Sequence, residues 1–230
     1  RFFAFVIRGE LYCFGVMDPR YDELADVLIG FSVKLKRGES VLIDAFDVPR
    51  DMVLALIGNV RKRGGLPFVN LHDARIRSAL FDGCSAKQFK RQASWELAQM
   101  KKVDAYVAVR GSENIYEYSS VKAGDMQTAM KQLRPVLDWR VNRTRWVVLR
   151  WPTSAMAQQA QKSTADFEDF FFRVCTLDYS RMTAGMNALK RWMDRTDRVR
   201  ITGPGETDLR FSIKDIGSVT CGGGHNIPDG

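Results

Sequence analysis

Asp104-Ala-Tyr-Val-Ala-Val-Arg110 is a continuous apolar run between charged ends. Such a run fits a strand buried on both faces of a parallel sheet rather than one with a wet face. Reading outward, Ser40 to Phe46 (SVLIDAF) is a short apolar strand upstream, Leu66 to Leu71 gives a second, and Arg145 to Trp151 is a fourth core strand downstream. The segments between them repeat at helical spacing. Leu24, Val27, Leu28, Phe31 and Leu35 define one helix. Met52, Val53, Leu56, Ile57 and Val60 define a second, with Pro49 placed in its first turn and Gly64-Gly65 as its stop. A helix over Ala74 to Phe81 follows, and Ser85 with Gln88 forms a capping box for a longer one through Phe89, Ala93, Leu97 and Met100. Met126, Ala129, Met130, Leu133, Val136 and Leu137 mark the next helix, with a kink expected at Pro135. Helices near Ala155, from Thr164 to Leu177 and from Tyr179 to Met193 complete the series. Strands alternating with helices imply an α/β fold, a mostly parallel sheet covered by helices on both faces.

Both ends depart from this pattern. Residues 1–16, RFFAFVIRGELYCFGV, start without Met and hold an apolar run too short and interrupted to span a bilayer. They read as an atypical leader outside the native fold, with a packed N-terminal strand as the alternative. Residues 17–197 form the α/β domain in this reading, and residues 198–230 begin something different. Leu209, Phe211 and Ile213 alternate with Arg210, Ser212 and Lys214, the period of a strand with one buried face. Val199 and Ile201 pair with it across the turn at Gly203-Pro204-Gly205, giving an antiparallel pair that opens a second domain.

A formal net charge of +8 suggests anionic partners, but the basic residues are scattered. Lys34 to Arg37, Arg61 to Arg63 and Lys101-Lys102 fall where helices end and cations complement the dipole. No nucleic-acid or membrane partner is therefore expected. Cys13, Cys84, Cys175 and Cys221 lack paired spacing, which fits a reducing compartment and no disulfide framework.

Individual motifs weigh less than they first suggest. Gly222-Gly223-Gly224 lacks the Lys-Ser/Thr pair of a phosphate loop, and Gly203-Pro204-Gly205 lacks a dinucleotide fingerprint. His225 and Asp229 lie four apart on a loop holding Pro228, so their spacing fixes no ligand geometry. His72-Asp73 ends a strand, where open α/β sheets carry sites. Its plainer reading is a helix start with Asp73 as the cap. Phe167, Phe170 and Phe171 share a helical face and are assigned to the core, leaving Phe172 for an interface.

Several segments together resemble a known family. They are Gly203-Pro204-Gly205 with Thr207-Asp208-Leu209, and Asn226-Ile227-Pro228-Asp229-Gly230. Arg145-Trp146, Trp151-Pro152-Thr153 with Ala157 and Ala160, and Phe167-Glu168-Asp169-Phe170 add to them. From about Met17 onward the chain resembles the metallo-aminopeptidases of the thermophilic aminopeptidase T and aminopeptidase S family. That resemblance implies an N-terminal α/β domain leading into a catalytic domain, and removal of N-terminal residues from peptide substrates. It also implies a cytoplasmic homodimer and two divalent metal ions: zinc, cobalt, magnesium or manganese. In that family the Asn-(Met/Ile)-Pro-Asp-Gly run precedes a metal-ligating Glu. The first ligand is thus expected directly after Gly230, with His225, Asn226, Pro228, Asp229 and Gly230 shaping the approach and no catalytic residue or metal ligand within these residues. The residues alone also suit a non-enzymatic α/β module that binds a small anion or nucleic acid through a basic surface.

Overall fold

The computed structural model describes residues 2–7, 10–15 and 18–229. Its first two strands, β1 (Phe2–Ile7) and β2 (Glu10–Gly15), pair antiparallel as a separate two-stranded sheet. The helix α1 (Pro19–Asp26) starts on an Asp18 cap that accepts from the Arg20 N–H, and continues as a π-helical turn over Val27–Ser32. Then come β3 (Ser40–Phe46), α2 (Arg50–Lys62), β4 (Leu66–His72), α3 (Ala74–Phe81) and α4 (Ala86–Met100). The series continues with β5 (Ala105–Arg110), α5 (Ala123–Arg143), β6 (Arg145–Arg150), α6 (Ser154–Gln159), α7 (Thr164–Cys175) and α8 (Tyr179–Met193). Pro49 sits one position earlier than its expected first-turn place, as the residue before α2. Pro135 does not end α5, which runs through it.

The four strands lie side by side and parallel in the order β4-β3-β5-β6. β3 and β5 are buried on both faces, whereas β4 is an edge strand whose Leu66, Phe68 and Leu71 are exposed. Alternation along each strand divides the core. Val41 and Ile43 of β3, Val107 and Val109 of β5 and Leu149 of β6 pack under α1, α2, α7 and the start of α8. Leu42, Tyr106 and Ala108 point the other way and meet Met100 of α4 and Trp139 of α5. The sheet therefore carries helices on both faces, as the periodicity predicts.

Two expectations about side chains need correction. In α7 the buried residues are Phe171, Phe172 and Cys175, while Phe170 is 47% exposed. Spacings of one and four also share a helical face, and four consecutive positions rich in Phe leave pattern alone unable to choose it. Phe172 is thus core, stacked on Tyr21 and edge-on to Trp151. The antiparallel pair β7 (Arg198–Thr202) and β8 (Asp208–Ser212) forms as expected, yet its apolar face is not buried. Leu209 is 54% exposed, and Ile201 and Phe211 are also open, because the two strands form a separate sheet.

Sequence patterning does not reveal the last strand. After β8 the chain returns to the main sheet, and β9 (Asn226–Ile227) pairs parallel with β6, Asn226 opposite Val148 and Ile227 opposite Leu149. The end of the described chain is therefore built into the α/β sheet as its fifth strand.

Candidate functional site

The glycine-rich return loop is fastened at several points. The Ser32 hydroxyl donates to the Gly223 carbonyl at 2.7 Å, and the Gly223 N–H donates to Asp229 Oδ2 at 3.2 Å. The Val148 N–H donates to the His225 carbonyl at 2.8 Å, which starts the β9 pairing. Ile227 is buried in the main core beside Tyr179, and its peptide with Pro228 is cis. Burial pushes the Tyr179 hydroxyl up to about 12, so it stays a neutral donor at physiological pH.

Gly223 is the position this loop cannot change. Its φ is +77°, and a Cβ there would sit 2.6 Å from Tyr179 Cδ1 and 3.1 Å from Ile227 Cδ1. Gly223→Ala is expected to cost about 1–2 kcal/mol, as left-handed strain combines with loosened packing of Ile227. Urea unfolding checks this, and a midpoint equal to that of the native chain would contradict it.

Of the residues singled out in the sequence, His225 and Asp229 come together along one cleft of about 370 Å³, with Lys34, Arg145 and Trp146. The His225 ring lies 4.6 Å from the Trp146 ring. Arg145 is occupied elsewhere, donating to Glu39 at 2.6 Å and to the carbonyls of Val33 and Lys34. Asn226 and Pro228 are exposed, and Gly230 lies outside the described residues. No group of three or more His, Cys, Asp or Glu side chains suited to a metal ion occurs among the described residues. His225 and Asp229 thus share a cleft without a third ligand.

A second polar centre lies in the carboxyl halves of β3 and β4, with Tyr106 reaching it from near the start of β5. Asp44 is 7% exposed, and its carboxylate accepts from the Tyr106 hydroxyl at 2.7 Å and the Asn70 amide at 3.0 Å. His72 Nε2 lies 3.4 Å from Asp44 Oδ1, an ion-pair separation, and makes no hydrogen bond. Burial opposes the Asp44 charge, but the His72 nitrogen, the Tyr106 hydroxyl and the Asn70 amide outweigh it and hold the carboxyl below its ordinary range. Burial, and then the charge of Asp44, push Tyr106 upward. Asp73 caps α3 by accepting from the Ile76 N–H at 2.9 Å, as the plainer reading of His72-Asp73 expects. His72 itself turns into the cavity beside Asp44. A single carboxylate inside the apolar SVLIDAF strand was the available signal for this centre; its partners on other strands were not visible.

The model of the thermophilic metalloprotease family, M29, matches residues 17–229. The solved structure of wild-type AmpT from Thermus thermophilus matches with a TM-score of 0.67 at 15% identity, covering 92% of this chain. This chain spans 60% of that one, and at such identity the likeness establishes the fold. The search of curated proteins finds no match.

Proposed function

The chain belongs to the thermophilic metalloprotease family, M29, and on that premise we propose a metal-dependent aminopeptidase as the activity of the whole protein. Membership makes it a metallopeptidase by family and implies peptides as substrates. The finer reading is that a pair of divalent ions (zinc, cobalt, magnesium or manganese) removes residues from peptide N-termini, in a cytoplasmic homodimer. Among the described residues no helix is long and apolar enough to cross a membrane.

The observation that carries this reading is the direction of β9. Because it runs parallel to β6, the chain after Ile227 heads toward the carboxyl edge of the sheet, where open α/β sheets hold their ligands. The glycine loop, Tyr179 and Asp229 fix that exit. A paired-metal centre needs several carboxylate and imidazole ligands, and His225 with Asp229 do not supply them. We assign this chain the approach to the metals, with the first carboxylate directly after Gly230, and no catalytic step is assigned to its own side chains.

Two results test the assignment. The codon after that of Gly230 is expected to encode Glu, with further Glu, His and Asp motifs downstream. A stop codon there, or a continuation without such motifs, would contradict it. The 230-residue chain alone is expected to release no amino acid from a chromogenic aminoacyl substrate, with or without added metal. Metal-stimulated release by this chain would move the ligands into the residues described here.

A further inference from the structure

A cavity of about 480 Å³ opens at the carboxyl ends of β3, β4 and β5, and the peptidase reading makes no use of it. Sheet order creates the opening. β4 and β5 flank β3 on opposite sides, so the connections leaving the sheet here diverge and leave a crevice between β3 and β5. Crevices at such reversals are where open α/β sheets bind ligands, and small-molecule sites typically hold roughly 300–1,000 Å³. Leu42 and Tyr106 form its floor, and Met130, Leu133 and Leu137 of α5 give it an apolar wall.

The charged groups around it are satisfied unequally. Asp44 accepts from Tyr106 and Asn70. Asp47 accepts from the Ala74 N–H at 3.1 and 3.2 Å, and Glu96 accepts from Gln92 at 2.8 Å. The three arginines lining the same space, Arg77, Arg110 and Arg140, form no ion pair among the described residues. Each instead lies over a ring: Arg140 is 4.0 Å from the Tyr106 centroid, and Arg77 and Arg110 are 5.2 and 5.6 Å from that of Phe46. Arg140 Nε is buried with no hydrogen-bond partner, whereas His72 Nε2, in the same lining, faces Asp44 Oδ1 at 3.4 Å. The Arg140 donor is left over while Asp44 and Asp47 are engaged by other donors, so the partner missing at Arg140 is an acceptor.

We propose that this cavity binds a small molecule carrying one anionic group, a phosphate or a carboxylate, on an apolar body. The anion accepts from Arg140 Nε, and Arg110, in the same lining, adds positive charge at the mouth. Guanidinium forks match either anion in two-point geometry. Asp44 stays with Tyr106 and Asn70, and its negative charge confines the ligand's anion to the arginine side. The apolar body lies along Met130, Leu133 and Leu137. The site is built wholly from residues of this chain and stands apart from the peptidase assignment.

Titration calorimetry of the chain with phenyl phosphate and with phenylacetate tests this, using inorganic phosphate and benzyl alcohol to separate anion from body. Saturable one-site binding of at least one aromatic anion is expected, about tenfold or more tighter than either control. Which anion binds better identifies a phosphorylated or a carboxylic ligand class. Arg140→Gln and Arg110→Gln are each expected to weaken that binding about tenfold or more. Arg110 is exposed, so its variant keeps the test valid if the Arg140 variant fails to fold. Absence of saturable binding by both aromatic anions would overturn the proposal. So would benzyl alcohol binding as tightly, or affinity unchanged in Arg110→Gln.

Discussion

Replacing Phe172 with Ala is expected to lower the free energy of unfolding by about 3–5 kcal/mol, the usual cost of emptying a buried aromatic site. The ring is 3% exposed and joins three parts of the fold. It stacks on Tyr21 of α1 at 5.8 Å, and meets Trp151 at the end of β6 edge-on at 5.8 Å. It packs edge-on to Phe171 at 5.6 Å, and the Arg20 guanidinium lies 4.5 Å from its centroid. Aromatic pairs of this kind add about 0.5–1.5 kcal/mol each beyond burial. Urea unfolding of the two chains measures the difference, with an unchanged slope marking a stability effect. Phe170→Ala two positions earlier is the control, expected to shift stability by no more than about 0.5 kcal/mol. Equal losses at the two positions would place the buried face of α7 elsewhere.

The second large effect is expected at Asp44. Asp44→Ala removes the acceptor for the Tyr106 hydroxyl and one acceptor of the Asn70 amide, and Tyr106 is fully buried. Leaving such donors unpaired costs about 1–3 kcal/mol each, so a total loss of about 2–4 kcal/mol is expected. Its pH dependence has a definite sign. The folded-state pKa of Asp44 is depressed, so its stabilisation is present above the unfolded value near about 4 and is lost as pH falls through the folded value. The native chain should therefore lose stability in acid more steeply than Asp44→Ala, and the two curves should converge at the acid end. Parallel curves through the acid range would contradict the depressed pKa.

These two residues also mark what could be read from the sequence. The parallel sheet was legible because double-sided burial writes itself as short apolar runs such as SVLIDAF and AYVAV, with helix signals between them. The choice of Phe172 over Phe170 was not, since adjacent phenylalanines satisfy two helical faces and tertiary packing decides between them. β9 escaped notice because two residues carry no period; it exists through the Val148 hydrogen bond and the burial of Ile227, both tertiary. The cleft residues His225 and Asp229 were identified from the sequence, but their meeting depends on that return of the chain. The arginine-lined cavity was hidden for a like reason. Arg77, Arg110 and Arg140 come from α3, β5 and α5, and only the order of strands brings them together.

We propose that these residues lead into the metal site of an aminopeptidase. The most direct test is the activity of the protein translated from the full reading frame that contains these residues, on a chromogenic aminoacyl substrate. Release of the N-terminal residue is expected, abolished by a chelator and restored by added zinc, cobalt, magnesium or manganese. No release with any of these metals, or release unaffected by the chelator, would contradict it.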